Sequence, residues 1–266
     1  MSAVISIDKN KVRHSFASAA NTYDGLATLQ REVGLDLLAK FAINHADHTV
    51  VDVGCGTGFL TQELMSRSDV KQMIAIDIAL SMVQMTKSKL QAVDAVQAIC
   101  ADAESLPLQK QSVDKIVSNV ALQWCQNLVD VFVGFKQVLK KEGRLVFSTF
   151  GPATLQELKQ AWAEVDKYTH VNDFYSAEEL LVFLQQAGFE DIQIESKHYQ
   201  SNYQTVLDLM RELKGIGAHN VLAGRNRQTT SKSSMQRMIE SYERYRLNGM
   251  IPATDELIFV SAKVGS

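Results

Sequence analysis

The stretch Val51-Asp52-Val53-Gly54-Cys55-Gly56-Thr57-Gly58 joins an apolar run to a helix-forming one, and its reading decides the fold. Thr49–Val53 is short and rich in β-branched residues, the composition of a buried strand. Three glycines at alternate positions follow at once, and then a helical stretch through about Met65. Gly54 lets the chain turn tightly, and Gly56 allows bare backbone to approach a ligand. Such strand–loop–helix junctions occur in open α/β sheets, where ligands sit beyond the carboxyl ends of the strands.

Outward from this point the alternation repeats. A second strand, 72–76, ends at Asp77, and Leu80–Leu90 has helical spacing. Val96–Cys100 is a third strand leading to Asp102, Val113–Asn119 a fourth, and Gly143-Arg144 opens a fifth at 145–150. The rhythm predicts an α/β fold: a Rossmann-like, seven-stranded, mostly parallel sheet with helices on both faces. Upstream, Val12, Phe16 and Ala20 form one short amphipathic stripe, and Leu29, Val33, Leu37 and Phe41 form another, with Tyr23 near the break. Downstream, 152–165 reads as a helix and 168–175 as irregular. Ser176 with Glu179 makes a capping box, and the helix carrying Leu180, Leu181 and Leu184 stops at Gly188. A sixth strand at 192–198 and a seventh at 256–264 enclose a helical, basic segment, 203–247, with eight Lys/Arg against four Asp/Glu. The expected organisation is an N-terminal helical segment covering the site (1–45) and a cofactor-binding core (46–150). Cap inserts follow at 151–175 and 203–250, separated by the helix and sixth strand (176–202), and strand seven closes the sheet (251–266).

Composition bounds the function. The chain has 266 residues, 46% hydrophobic and 21% charged, with a net charge of −3, which suits a folded domain and not a disordered one. No apolar run approaches the roughly 18 residues of a membrane span. Charges at Asp8, Lys9, Lys11 and Arg13 do not fit a signal peptide, so a cytoplasmic protein with no membrane contact is expected. Cys55, Cys100 and Cys125 form no CxxC pair, and no HExxH occurs, so no metal is expected. The mildly acidic balance argues against a nucleic-acid binder. A monomer is the expectation for quaternary state.

The spacing GxGxG differs from the dinucleotide fingerprint GxGxxG. Asp52, inside the strand, suits an ammonium near the loop better than a pyrophosphate. Asp77 lies 21 residues after Gly56, where a carboxylate accepts hydrogen bonds from ribose hydroxyls. Asp102 with Ala103 is placed to accept from an adenine amine, and Ile78, Met82 and Leu106 are candidate walls for the base. Cys55, Gly58 and Asn119 complete the candidate cofactor set.

These residues, together with Ala101-Asp102-Ala103-Glu104-Ser105-Leu106-Pro107-Leu108, resemble the successive cofactor motifs of class I methyltransferases dependent on S-adenosylmethionine. The resemblance implies that Asp77 holds the ribose, that Asp102 reads the adenine amine, and that the glycine loop with Asp52 takes the methionine end. Further stretches are more particular: Ser15-Phe16 with Ala19-Ala20 and Tyr23-Asp24, Ser118-Asn119-Val120-Ala121-Leu122-Gln123-Trp124-Cys125, His170-Val171-Asn172-Asp173-Phe174, and the run from Leu209 to Ala218. They look like the malonyl-[acyl-carrier protein] O-methyltransferase family of biotin synthesis, over nearly the whole chain. One departure is Ser18, where that family's pattern leads us to expect an arginine.

The implied reaction moves a methyl group from S-adenosylmethionine to the free carboxylate of malonyl-acyl-carrier protein. An aliphatic carboxylate with a pKa of about 4 is ionised near neutral pH, so no general base is required. The catalytic candidates therefore position the acceptor: Tyr23, Gln123, Trp124, His170 and Asn172. An acidic carrier protein calls for a positive surface, and Arg211, Lys214, Arg225, Arg227, Lys232 and Arg237 are the candidates. Three other readings remain open from the residues: a methyltransferase for a small free carboxylic acid or for malonyl-CoA, a dinucleotide-dependent oxidoreductase, and an inactive binding module.

Overall fold

The computed structural model describes residues 7–41, 47–218 and 230–265. Five strands, β1 (Thr49–Val53), β2 (Gln72–Asp77), β3 (Val96–Cys100), β4 (Val113–Asn119) and β5 (Leu139–Phe150), run parallel. They are joined by β6 (Phe189–Tyr203) and by an antiparallel β7 (Ile251–Val264) in one seven-stranded sheet of order β3-β2-β1-β4-β5-β7-β6. The order reverses between β1 and β4, which opens a crevice at the carboxyl ends of these two strands. Val50, Val51 and Val53 are fully buried because both faces of this part of the sheet are covered.

On one face, α5 (Leu128–Val138) and α7 (Ala177–Gln186) pack against the strands through Phe132, Phe135, Leu180 and Leu184. On the other, α2 (Thr28–Lys40) and α3 (Phe59–Arg67) contribute Val33, Leu37, Leu60 and Leu64. The helix α1 (Lys9–Leu26) packs on α4 (Leu80–Leu90) through Ala20, Ala79 and Met82. A third apolar cluster lies outside the main sheet. There α6 (Gln156–Ala163), α8 (Val206–Gly215) and α9 (Lys232–Tyr242) bury Leu158, Trp162, Leu209, Met238 and Tyr242 against Ile251 and Ala253. Among the described residues, no helix is long and apolar enough to cross a membrane.

Several boundaries differ from the sequence expectations. The helix α5, which those expectations omit, is capped by Asn127, whose side chain accepts from the Val129 and Asp130 amides. The fifth strand starts at Leu139, six residues early, because Leu139 pairs with Val113 before an irregularity that ends at Arg144. The helix expected over 152–165 is only α6, since Leu155 holds a left-handed conformation (φ 52°) just before it. The segment 203–247 is not helical throughout: β6 continues to Tyr203, which pairs with Ile251. The seventh strand accordingly begins at Ile251, and Pro252 is tolerated within it because pairing with β5 stops at Leu257. The break between α1 and α2 falls at Ala27, four residues beyond Tyr23.

Candidate active site

The glycine loop forms the floor of the crevice. Gly54 has φ +77°, and a Cβ there would overlap the methyl of Ala121 in the loop after β4. Gly56 (φ +54°) faces open space, its nearest neighbour on that side being the Tyr23 ring at 3.9 Å. That opening is a cradle which any side chain at position 56 would fill. Gly58, also left-handed, is the residue before α3, and its missing side chain makes room for Thr86.

Asp77 closes the cradle from the end of β2. One carboxylate oxygen accepts from the Gly56 amide (2.9 Å) and the other from the Ala79 amide (2.8 Å). Each oxygen keeps a lone pair for another donor. Burial pushes the Asp77 carboxyl above its usual range. Ile78, Met82, Asp102, Ala103 and Asn119 line the same crevice, as do Tyr23 and Trp124.

Four features of this crevice qualify the sequence picture. Asp102 is already engaged: Lys9 of α1 bridges it (2.5 Å) and Glu104 (2.6 Å), and the Glu104 amide donates to it (3.0 Å). Lys9, Val12 and Phe16 lie across the crevice and leave a space of about 90 Å³. Asp52 does not line the crevice. It borders a small adjoining pocket shared with Tyr23, Gly54, Gly56 and Asn119, because its side chain projects from β1 towards Thr61, whose hydroxyl donates to it at 2.6 Å. Its other oxygen is buried without a partner among the described residues, and burial together with the Asp77 charge pushes its pKa up to about 7. Cys55 does not line the crevice and borders the same adjoining pocket as Asp52. Its thiol turns to the Gly56 carbonyl and Thr86, and burial raises its pKa. Burial likewise keeps Cys125, which lines the crevice, protonated.

The Tyr23 hydroxyl is held protonated by burial and by the nearby Asp77 and Asp24 carboxylates, so it can donate a hydrogen bond. The Asn119 amide is committed on both ends, donating to the Gln30 carbonyl (2.8 Å) and accepting from Ser148 (2.7 Å).

A second, larger cavity of about 550 Å³ adjoins the first, and Trp124 is a wall of both. The short 3-10 turn Leu122–Trp124 sets this wall, and Phe16 holds the indole edge-on at 5.5 Å. The cavity lies between the sheet and the cap, under α6, α8 and the irregular segment before α7. Its lining is chiefly apolar and includes Leu29, Phe150, Leu158, Phe174 and Met210. His170 and Asn172 both line it. His170 stacks on Trp162 at 3.7 Å, with its Nε2 2.9 Å from Asp166. Gln123 is not brought to either cavity. The turn points it back, so that its amide donates to the Val120 carbonyl (2.7 Å) and accepts from Thr149.

Arg211 and Lys214 of α8 are exposed at the cavity's edge, with Arg211 paired to Asp208. Lys232 and Arg237 are exposed on α9 and line neither cavity. Arg225 and Arg227 lie outside the described residues. Sequence reasoning did not single out Lys9, or the buried Asp255 in the larger cavity. Lys9 reads locally as an ordinary helix-start charge.

Known proteins agree with this architecture. Residues 51–147 match the family described as a methyltransferase domain. Among solved structures, YcgJ from Bacillus subtilis is similar with a TM-score of 0.64 at 18% identity, over 88% of this chain and 98% of that one. The chain is 39% identical to a malonyl-[acyl-carrier protein] O-methyltransferase from Gallionella capsiferriformans, over 95% of this chain and 90% of that protein. It is 41% identical to the protein of the same name from Methylococcus capsulatus, over 92% and 89%. The biotin biosynthesis bifunctional protein BioHC of Cellvibrio japonicus is 38% identical over 96% of this chain and 50% of its own length. Full-length similarity of this order, reaching through the cap as well as the core, places the chain in the malonyl-[acyl-carrier protein] O-methyltransferase family.

Proposed function

We propose that the chain methylates the free carboxylate of a malonyl group carried on acyl-carrier protein, with S-adenosylmethionine as donor, at an early step of biotin synthesis. The observation that carries this reading is the meeting of two unlike cavities at Trp124: a narrow crevice lined by carboxylates and bare backbone, and a wide apolar chamber with a basic edge.

The residues present fit the donor. The open cradle at Gly56 and the spare lone pairs of Asp77 suit a ribose, and the partnerless oxygen of Asp52 suits an ammonium. Ile78 and Met82 offer apolar walls for a base, beside Asp102. Space for a nucleoside requires Lys9 and Phe16 to draw back, which places α1 over the bound donor.

The donor supplies an electrophilic methyl on a sulfonium, and the rest is positioning. The acceptor carboxylate is ionised near pH 7, so the site aligns one oxygen and removes its water. Tyr23 keeps its proton and reaches both the crevice and the adjoining pocket, so it donates to the second carboxylate oxygen. Trp124 limits the approach from the acceptor side. His170 and Asn172 shape the chamber further out. Among the described residues the Lys and Arg side chains lining the chamber, Arg211 and Lys214, are exposed at its edge, and this suits catalysis, since tight binding of the ionised ground state would slow the step.

Outside, Arg211 and Lys214 at the chamber's edge present charge to an acidic carrier, and Lys232 and Arg237 are further exposed cations on α9. A small free acid as acceptor would leave most of the 550 Å³ chamber unused. The test is incubation with methyl-labelled donor and malonyl groups on carrier protein, on CoA and as free malonate. Base-labile label on the carrier protein is the expected result. Label on free malonate alone, or on none of the three, defeats the proposal.

A further inference from the structure

Three carboxylates gather where the cap meets the paired ends of β6 and β7: Glu157, Glu212 and Asp255. Two have donors. Glu157 accepts from the Thr254 hydroxyl (2.5 Å) and amide (3.2 Å), and Glu212 accepts from the Tyr203 hydroxyl (2.9 Å). Asp255 lines the large cavity, is only 8% exposed, and has no hydrogen-bond donor among the described residues. A second polar group in the same cavity is more deeply enclosed: Asn172 has a fully buried side-chain oxygen with no partner. A buried acceptor left without a donor costs about 1–3 kcal/mol, so the Asn172 oxygen, with the Asp255 carboxylate lining the same chamber, asks for a ligand that brings donors.

The chemistry of that ligand is constrained. A malonyl carboxylate offers no donor and would be repelled by Asp255. A hydroxyl or secondary amide is neutral and offers O–H or N–H. The apolar majority of the lining calls for a slender chain with few polar groups. A pantetheine arm has this character: methylene stretches interrupted by two secondary amides, ending in the thioester. We propose that Asp255 and Asn172 accept hydrogen bonds from the amide N–H groups of the pantetheine arm, so that the chamber recognises the arm as well as the malonyl end. This rests on the thioester acceptor proposed above. Asp255 is poised for such a donor, because burial and the neighbouring Glu157 and Glu212 charges push its pKa up to about 7. A hydrogen bond from the arm relieves that strain on the ionised form.

The experiment compares kcat/KM for three acceptors with the same malonyl end: malonyl-CoA with two amides, malonyl-N-acetylcysteamine with one, and malonyl ethyl thioester with none. The full-length enzyme is assayed as wild type and as the variants Asp255→Leu, Asp255→Asn and Asn172→Ala, with donor affinity and thermal unfolding measured in parallel. With malonyl-CoA, Asp255→Leu should lose about ten- to thirtyfold and Asn172→Ala about fivefold. With the ethyl thioester each variant should lose at least about threefold less than it loses with malonyl-CoA. Asp255→Asn keeps an acceptor oxygen and should restore most of the loss. Equal losses on all three acceptors, or no loss on malonyl-CoA, overturn the assignment while leaving the methyltransferase reading intact. Failure of the wild type on all three and on malonyl-carrier protein alike overturns both.

Discussion

The two cavities that meet at Trp124 are built by different means. The crevice is made of backbone: glycines without side chains, amide donors clamped by Asp77, and strand ends whose positions follow from the order β3-β2-β1-β4. The chamber is made of side chains from elements far apart in sequence, with Leu29, Trp124, His170, Met210 and Asp255 on five separate segments. Backbone geometry is set by local sequence, and a chamber of side chains is set by how a cap happens to seat. One region can therefore be shared across many chemistries, while the other, on the function we propose, selects the acceptor.

Substitutions should separate the two regions cleanly. The largest effect is expected from Asp77→Ala, which frees the Gly56 and Ala79 amides and removes the ribose acceptor. Donor affinity by calorimetry should fall about a hundredfold, equally whichever acceptor is later supplied. Should affinity hold within about threefold, the crevice is not the donor site. Next comes Trp124→Ala at the shared wall, with kcat lowered about thirtyfold through misalignment and donor affinity changed less than about fivefold. A loss in donor affinity as large as the loss in kcat would make Trp124 part of the crevice alone.

Asp52 gives a pH test of the region behind the loop. Its folded pKa of about 7 lies above the ordinary aspartate value of 3.8, so the native state keeps a proton that the unfolded chain has lost. Stability should therefore fall as pH rises from about 4 to 7, at up to about 1.4 kcal/mol per unit, with the penalty complete above 7. Asp52→Asn should flatten that part of the profile in urea unfolding at pH 5 and pH 8. Asp255, with the same elevated pKa, contributes in the same sense, so the variant should remove only part of the slope. An unchanged slope would mean that Asp52 is already ionised in the folded protein.

The smallest effect should come from Arg211→Ala and Lys214→Ala. Both residues are exposed and screened by solvent. KM for malonyl-carrier protein should rise about three- to fivefold at low salt, less at high salt, with malonyl-N-acetylcysteamine unaffected. An equal effect on the small thioester would move these residues from the docking surface into the chamber.

The same division explains what could be read from the sequence. Thr49–Val53, Leu80–Leu90, Val96–Cys100 and Val113–Asn119 were legible to the residue because β-branched runs, glycines and strand-end acids are local signals. The early start of β5 was hidden by Lys140-Lys141-Glu142-Gly143, which reads as a turn and is tolerated as an irregularity against β4. The helix α5 was legible in Leu128, Val131, Phe132, Phe135 and Val138, yet the expectations passed directly from β4 to β5. The paired ends of β6 and β7 were not legible, because Pro252 is a local strand breaker and only the absence of a β5 partner there makes it harmless. In the crevice, the spacing of Asp77 and Asp102 gave their placement, but Lys9 lies 93 residues from Asp102 and no local pattern joins them. Gln123 illustrates the converse: a polar residue in a suggestive stretch, turned away by a 3-10 turn that sequence periodicity does not resolve.

The pairing of β6 has a consequence for biogenesis. Among the described residues this strand of fifteen residues bonds to β7 and to no other strand, and β7 emerges nearly fifty residues later. During synthesis the first five strands can zip together as they appear, while β6 and the outer edge of β5 wait with bare amides and carbonyls. A ribosome pausing between them would expose two sticky borders at once, the condition in which chains adhere to one another. Holding that interval short, or shielding it with a chaperone, should govern soluble yield more than any substitution in the catalytic half.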